Sequence, residues 1–253
     1  MHPMNMQIGT AAARLVLLIH LVALGCGLAA AADTPGASDG YAAAIASPIR
    51  TDQDRRMDAS RHPAQFLPFT QVKPGMKVLD ISAGAGYTSQ LLALAVGPKG
   101  TVYAQAPNPG ATLSKRVADH PQPNLVIVAR GFEDPIPPDA PKLDLVTLVN
   151  NYHDISYMSV DRPQMLAKIY AALKPGGHFV VIDHSAKTGT GISVGRTLHR
   201  IDEDVVRKEV TQAGFKLEAE GDFLRNPADA REDSSNSPAV PTDKFALRFV
   251  KPA

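Results

Sequence analysis

The stretch "KVLDISAGAGYTS", residues 77–89, restricts the possible folds more than any other part of the chain. Lys77 to Ile81 reads as a short buried strand, and Ser82 to Gly86 is a turn made only of small residues. A helix is expected from Tyr87. A strand that passes through such a turn into a helix opens a βα unit, which needs a parallel neighbour and a crossover. Glycine lets the backbone approach another molecule closely, and the first N–H groups of a helix have no partner within it. The end of this strand is therefore a candidate ligand site, with Asp80, Ser82, Ala83, Gly84, Gly86 and Tyr87 as its residues. Ser82 stands where a third glycine would suit the turn. A left-handed backbone there costs a serine about 1–2 kcal/mol, and an extended one costs it nothing.

Four more Val/Leu/Ile-rich runs follow: Thr101 to Gln105, Leu125 to Ala129, Leu143 to Val149 and His178 to His184. They do not alternate, which suits parallel strands covered on both faces. Helical segments lie between them. One starts at an Asp161 cap, carries Leu166, Ile169, Tyr170 and Leu173 at helical spacing, and stops at Pro175-Gly176-Gly177. Another starts near Asp202, has Val206, Val210 and Ala213 on one face, and ends at Gly214. In the tail, Phe215 to Leu224 and Phe245 to Val250 are strand-like with only a polar stretch between them, so they should pair antiparallel across a long, mobile connection. The expected fold is α/β: a doubly wound, mostly parallel, seven-stranded sheet with a C-terminal antiparallel hairpin.

Ahead of the first strand, "RRMDASRHP" predicts a charged, solvated helix broken at Pro63, with Arg55, Arg56 and Arg61 as alternative anion contacts. At the N-terminus, Arg14 precedes the apolar run Leu15 to Leu24, and Ala30-Ala31-Ala32 precedes Asp33. That pattern predicts a cleaved leader over 1–32 and export, to the periplasm in a two-membrane cell. Lipid attachment at Cys26 is the alternative. The mature chain is expected to have no transmembrane helix. Residues 33–46 are expected to be a flexible linker before a domain spanning 47–253. Beyond the leader the charges balance at 25 basic against 25 acidic residues, with no basic run. This argues against nucleic acid and for a small-molecule partner. Cys26 is the only cysteine, which excludes an internal disulfide and a cysteine-based metal site.

"VKPGMKVLDISAGAGYTS" and "LAKIYAALKPGGHFVVIDH", about a hundred residues apart, together resemble the class I S-adenosylmethionine-dependent methyltransferase family. Within it the chain is most similar to small-molecule methyltransferases, and to exported members with an "NYHD" element. The resemblance implies S-adenosylmethionine as cofactor, with Gly84 and Gly86 matching the family's later glycines. Three positions depart from the pattern: Ser82 replaces a glycine, Gln105-Ala106 stand where an acid usually receives both ribose hydroxyls, and Phe132 replaces an acid that meets the adenine. Gln105 offers one carbonyl and no charge. Glu133 or Asp134 could stand in at the adenine, where Phe132 is either a stacking surface or a core residue.

In such a sheet the chemistry lies beyond the carboxyl ends of the strands. Asn151, Tyr152, His153 and Asp154 follow the fourth strand and His184 ends the fifth, so all five should converge above Gly84. His153 or His184 could take a proton from the accepting atom, oriented by Asp154 or Asp183. Tyr152 could bind substrate. No pair shows helical i, i+4 ligand spacing, so no metal is expected. Two other functions remain open: an exported lyase, isomerase or hydrolase on the same fold, and a non-catalytic binding protein.

Overall fold

The computed structural model describes residues 35–253, with side chains from residue 40, together with Met1. The predicted leader and Cys26 lie outside the described residues. The seven strands are β1 (Lys77–Ile81), β2 (Thr101–Ala106), β3 (Leu125–Ala129), β4 (Leu143–Val149), β5 (Leu173–His184), β6 (Lys216–Gly221) and β7 (Lys244–Val250). They form one sheet in the order β3-β2-β1-β4-β5-β7-β6, with only the β5/β7 and β6/β7 pairs antiparallel. The expected sheet and hairpin are both present.

Neighbouring residues of each central strand face opposite layers. In β5, Val180 and Ile182 join a core with Leu67, Leu91 and Leu92, whereas Phe179 and Val181 join one with Leu166, Ile169 and Val206. Both layers are apolar, which is why these strands read as continuous hydrophobic runs. The first layer holds α3 (Pro63–Thr70) and α4 (Tyr87–Val96); the second holds α7 (Arg162–Ala172) and α9 (Glu203–Gln212). Asp161 and Asp202 cap α7 and α9 as expected, accepting from the amides of Gln164 and Asp204.

Four features differ from the sequence expectations. The linker expected at 33–46 is, over Pro35–Ala46, a helix, α1. Ala44 is buried against the first core, and Tyr41 Oη donates to the Val72 carbonyl at 2.6 Å. Alanine favours helix but gives little hydrophobic contrast, so its periodicity is hard to see. The charged lead-in is α2 (Asp52–Arg61), and it turns two acids inward. Asp54 pairs with Arg116 of α5 (Ala111–Asp119) at 2.7 Å, and Asp58 pairs with Arg50 at 2.5 Å. β5 begins at Leu173 rather than His178, because the "LKPGG" turn pairs with Leu143 across a register shift. Finally, the connection between β6 and β7 has no regular structure but is fastened to the fold. Arg200, fully buried, pairs with Asp229 at 2.7 Å, and Asp243 accepts from the amide of Asn226 at 2.8 Å.

Candidate functional site

The glycine loop has a bound side and an open side. Ser82 takes the left-handed backbone, at φ 59°, and pays the cost that serine incurs there. Its amide donates to Gln105 Oε1 at 3.0 Å, Gln105 Nε2 donates to the Arg130 carbonyl at 2.6 Å, and the Ala83 amide donates to the Gln105 carbonyl at 2.8 Å. Gln105 is fully buried and both ends of its amide are occupied, so it braces the loop and does not face a ribose. Asp80 is likewise committed. It accepts from Ser89 Oγ at 2.5 Å and Thr147 Oγ1 at 2.7 Å, and burial raises its pKa to about 6 despite those bonds. Gly86 has no room for a side chain, since a Cβ would lie 2.8 Å from Leu113 Cδ1. Gly84 and Ala85 are exposed, and among the described residues their amides have no acceptor. A Cβ at Gly84 would meet nothing nearer than the Ser82 carbonyl at 4.0 Å. Tyr87 opens α4, but its hydroxyl donates to Asp58 at 2.7 Å, and its ring lies under the guanidinium groups of Arg50 and Arg61.

The five residues after β4 and β5 divide differently from the expectation. Tyr152 leaves the site: it is fully buried in the second core, and its hydroxyl donates to Glu209 at 2.5 Å. It sits there because "NYHDISY" begins a helix, α6 (Tyr152–Tyr157), whose apolar face covers β4. Asn151 turns away and donates to Asp154 at 3.0 Å. Phe132 is a core residue, packed in the cluster of Leu79 and Ile81. Glu133 and Asp134 follow it; Asp134 pairs with Arg130 at 2.6 Å, and the Glu133 carboxylate has no partner among the described residues.

His153 and Asp154 do meet, together with His199. His153 Nδ1 lies 2.6 Å from Asp183 Oδ1, and its Nε2 lies 3.3 Å from Asp154 Oδ1. The same Asp154 oxygen accepts from Tyr157 Oη at 2.7 Å and sits 3.1 Å from His199 Nδ1. His199 follows α8 (Gly195–Leu198) in a left-handed conformation, and its ring is 5.6 Å from that of His153. Burial opposes a charge on His153, but the hydrogen bonds and charges of Asp154 and Asp183 outweigh it and raise the pKa to about 9. Asp154 is held far below the usual carboxylate range. His153, Asp154 and His199 offer ligand atoms within 4.8 Å of one another, a grouping that sequence spacing does not reveal.

His184 has the opposite character. Its Nδ1 faces Thr242 Oγ1 at 2.8 Å, and burial, with Lys244, His153 and Arg61 nearby, pushes its pKa far down. It lines a cavity of about 820 Å³ between α2, the ends of β4 and β5, and the segment joining β6 to β7. A smaller hollow against Tyr87 and Thr88 shares four wall residues with it: Arg61, Asn150, Leu224 and Lys244. Asn150, rather than Asn151, faces this space, with a left-handed backbone and a buried Oδ1 that has no hydrogen-bond partner.

A strand, glycine loop and helix at the centre of a sheet that ends in an inserted antiparallel strand define the class I S-adenosylmethionine-dependent methyltransferase fold. Residues 78–177 match the family described as "Methyltransferase domain". A curated relative, the demethylmenaquinone methyltransferase of Symbiobacterium thermophilum, is 29% identical over 48% of this chain and 47% of its own length. The protein-L-isoaspartate O-methyltransferase of Aeropyrum pernix is 32% identical over 46% and 42%. The chain thus spans about half the length of the curated relatives it matches. Among solved structures, a SAM-dependent methyltransferase from Aquifex aeolicus superposes with a TM-score of 0.58 at 20% identity, covering 80% of this chain and 100% of that one. The N-methyltransferase NodS of Bradyrhizobium japonicum does so at 0.53 and 16%, covering 78% and 98%. At these identities the likeness is one of fold.

Proposed function

We propose that the protein transfers a methyl group from S-adenosylmethionine to a small molecule held in the cavity beyond β4 and β5. The observation that carries this reading is the shared wall of the two hollows: one touches the helix after the glycine loop, the other lies under the β6–β7 segment, and Asn150 stands between them. When bound, S-adenosylmethionine supplies an electrophilic methyl group on a positively charged sulfur. The free amides of Gly84 and Ala85 suit a carboxylate, and the orphaned Asn150 Oδ1 suits an ammonium group, so these residues would hold the amino-acid end. At the adenosine end, the unpaired carboxylate of Glu133 is the acceptor available in place of Gln105.

Of the two histidines, His184 is the one placed to take a proton, and burial makes it a weak base until a ligand changes its surroundings. It is neutral and lines the cavity, whereas His153 is held protonated between two carboxylates and fixes Asp183, whose Oδ1 accepts from the His184 amide at 2.7 Å. Calorimetry with S-adenosylhomocysteine tests the reading. Binding tighter than about 100 µM, abolished in Gly84→Arg, supports it; no heat at millimolar ligand rejects it. That second outcome would favour an enzyme of another class on the same fold, a reading supported by the absence of a free acid at the end of β2.

We also infer export, from the leader pattern at 1–32. Among the described residues no helix is long and apolar enough to cross a membrane. N-terminal sequencing of the mature protein is expected to start at Asp33. A start at Cys26 with an attached lipid identifies the anchored form instead.

A further inference from the structure

The cavity under the β6–β7 segment is lined by Arg61, Arg225 and Lys244 and by no aspartate or glutamate, although the chain's charges nearly balance. Arg225 is neutralised by Glu203 at 2.6 Å and lies 3.4 Å from Asp243. Arg61 and Lys244 are not neutralised. Among the described residues, every other buried or half-buried arginine has a carboxylate within 4.0 Å; Arg61 has none. Lys244 is only 7% exposed, and its Nζ reaches only the Ser60 carbonyl, at 3.3 Å, beside Arg61. Two buried acids lie behind this wall and are committed elsewhere: Asp80 accepts from Ser89 and Thr147, and Asp183 bonds His153 and the His184 amide. A buried ammonium beside an unpaired guanidinium costs the fold stability unless an anion completes the set.

We propose that Arg61 and Lys244 form an anion subsite for the methyl acceptor, which is accordingly a small carboxylic acid with an apolar body. The carboxylate binds between the two cations, and Phe223, Leu224 and Val240 of the same cavity cover the apolar part. Arg61 ends α2 and Lys244 begins β7, and both also wall the hollow against Tyr87 and Thr88, so the test has to separate the acid from the donor's own carboxylate. The assignment rests on the methyltransferase reading only in calling the bound acid an acceptor.

The test uses the full-length protein with benzoate as the acid and benzamide as its neutral counterpart. Benzoate is expected to bind and to raise Tm, and benzamide to bind at least about tenfold more weakly. Arg61→Gln and Lys244→Met should each weaken benzoate at least about tenfold, weaken S-adenosylhomocysteine by clearly less, and raise the ligand-free Tm by a few degrees. That rise shows that the variants fold. Equal binding of benzoate and benzamide, or no benzoate binding up to about 10 mM, overturns the subsite. So does an Arg61→Gln variant that loses S-adenosylhomocysteine but keeps 5′-methylthioadenosine, because the cation would then serve the cofactor's own carboxylate. Benzoate binding without S-adenosylhomocysteine binding would leave the subsite standing and remove the methyltransferase reading.

Discussion

Gln105 shows how one side chain can change purpose while its position is kept. It replaces an acid that would point at a ligand, and its amide instead holds Ser82 and Arg130. Gln105→Leu is expected to cost about 1–3 kcal/mol in urea unfolding, because it leaves a buried amide and carbonyl unpaired, and to weaken S-adenosylhomocysteine through a loosened loop. The histidines give a pH signature. The pKa of His153 is raised from 6.5 to about 9, so its contribution to stability is complete below about pH 6.5 and disappears as pH rises through 9. His184 is depressed, so the unfolded chain gains a proton that the folded chain refuses, and stability falls as pH drops below 6.5. The stability difference between wild type and His153→Gln should therefore shrink between pH 6.5 and 9. A difference that stays constant across that range would show that His153 is not held by its two carboxylates.

The segment between β6 and β7 belongs to the element scale. It walls the cavity without a helix or strand of its own, and the Arg200–Asp229 pair sets its position. Arg200→Met strands a buried carboxylate and should cost about 3–5 kcal/mol; adding Asp229→Asn should recover much of that. Limited proteolysis within residues 222–243 would follow the same order. The sequence shows such a segment only as polar and long, because its anchors join residues 17 and 29 positions apart. The central strands were legible for the opposite reason: β1, β4 and β5 each carry a contiguous apolar run covered on both faces. α1 and α6 were not legible, since one is built of alanine, glycine and small polar residues around a single Tyr and Ile and the other hides its buried Tyr152 among polar neighbours.

At the scale of the whole molecule, residues outside the methyltransferase match complete both the core and the cavity. A protein beginning at Ser47 lacks Tyr41, Ala44 and Ile45, which pack on the first core, and should lose about 2–3 kcal/mol relative to one beginning at Asp33. Equal urea midpoints for the two would show that α1 adds nothing. The place of the pocket could be read from the sequence, because glycine loop and strand ends are fixed by topology. Its contents could not. His199, Asn150, Arg61 and Lys244 come from four separate stretches, and only the folded chain shows which of them lack a partner. The order of the sheet also has a consequence for synthesis. β7 is made after β5 and β6 and lies between them, so until residues 244–250 leave the ribosome β5 lacks this neighbour and Lys244 has no seat. A growing chain therefore cannot close its pocket before β7 is made.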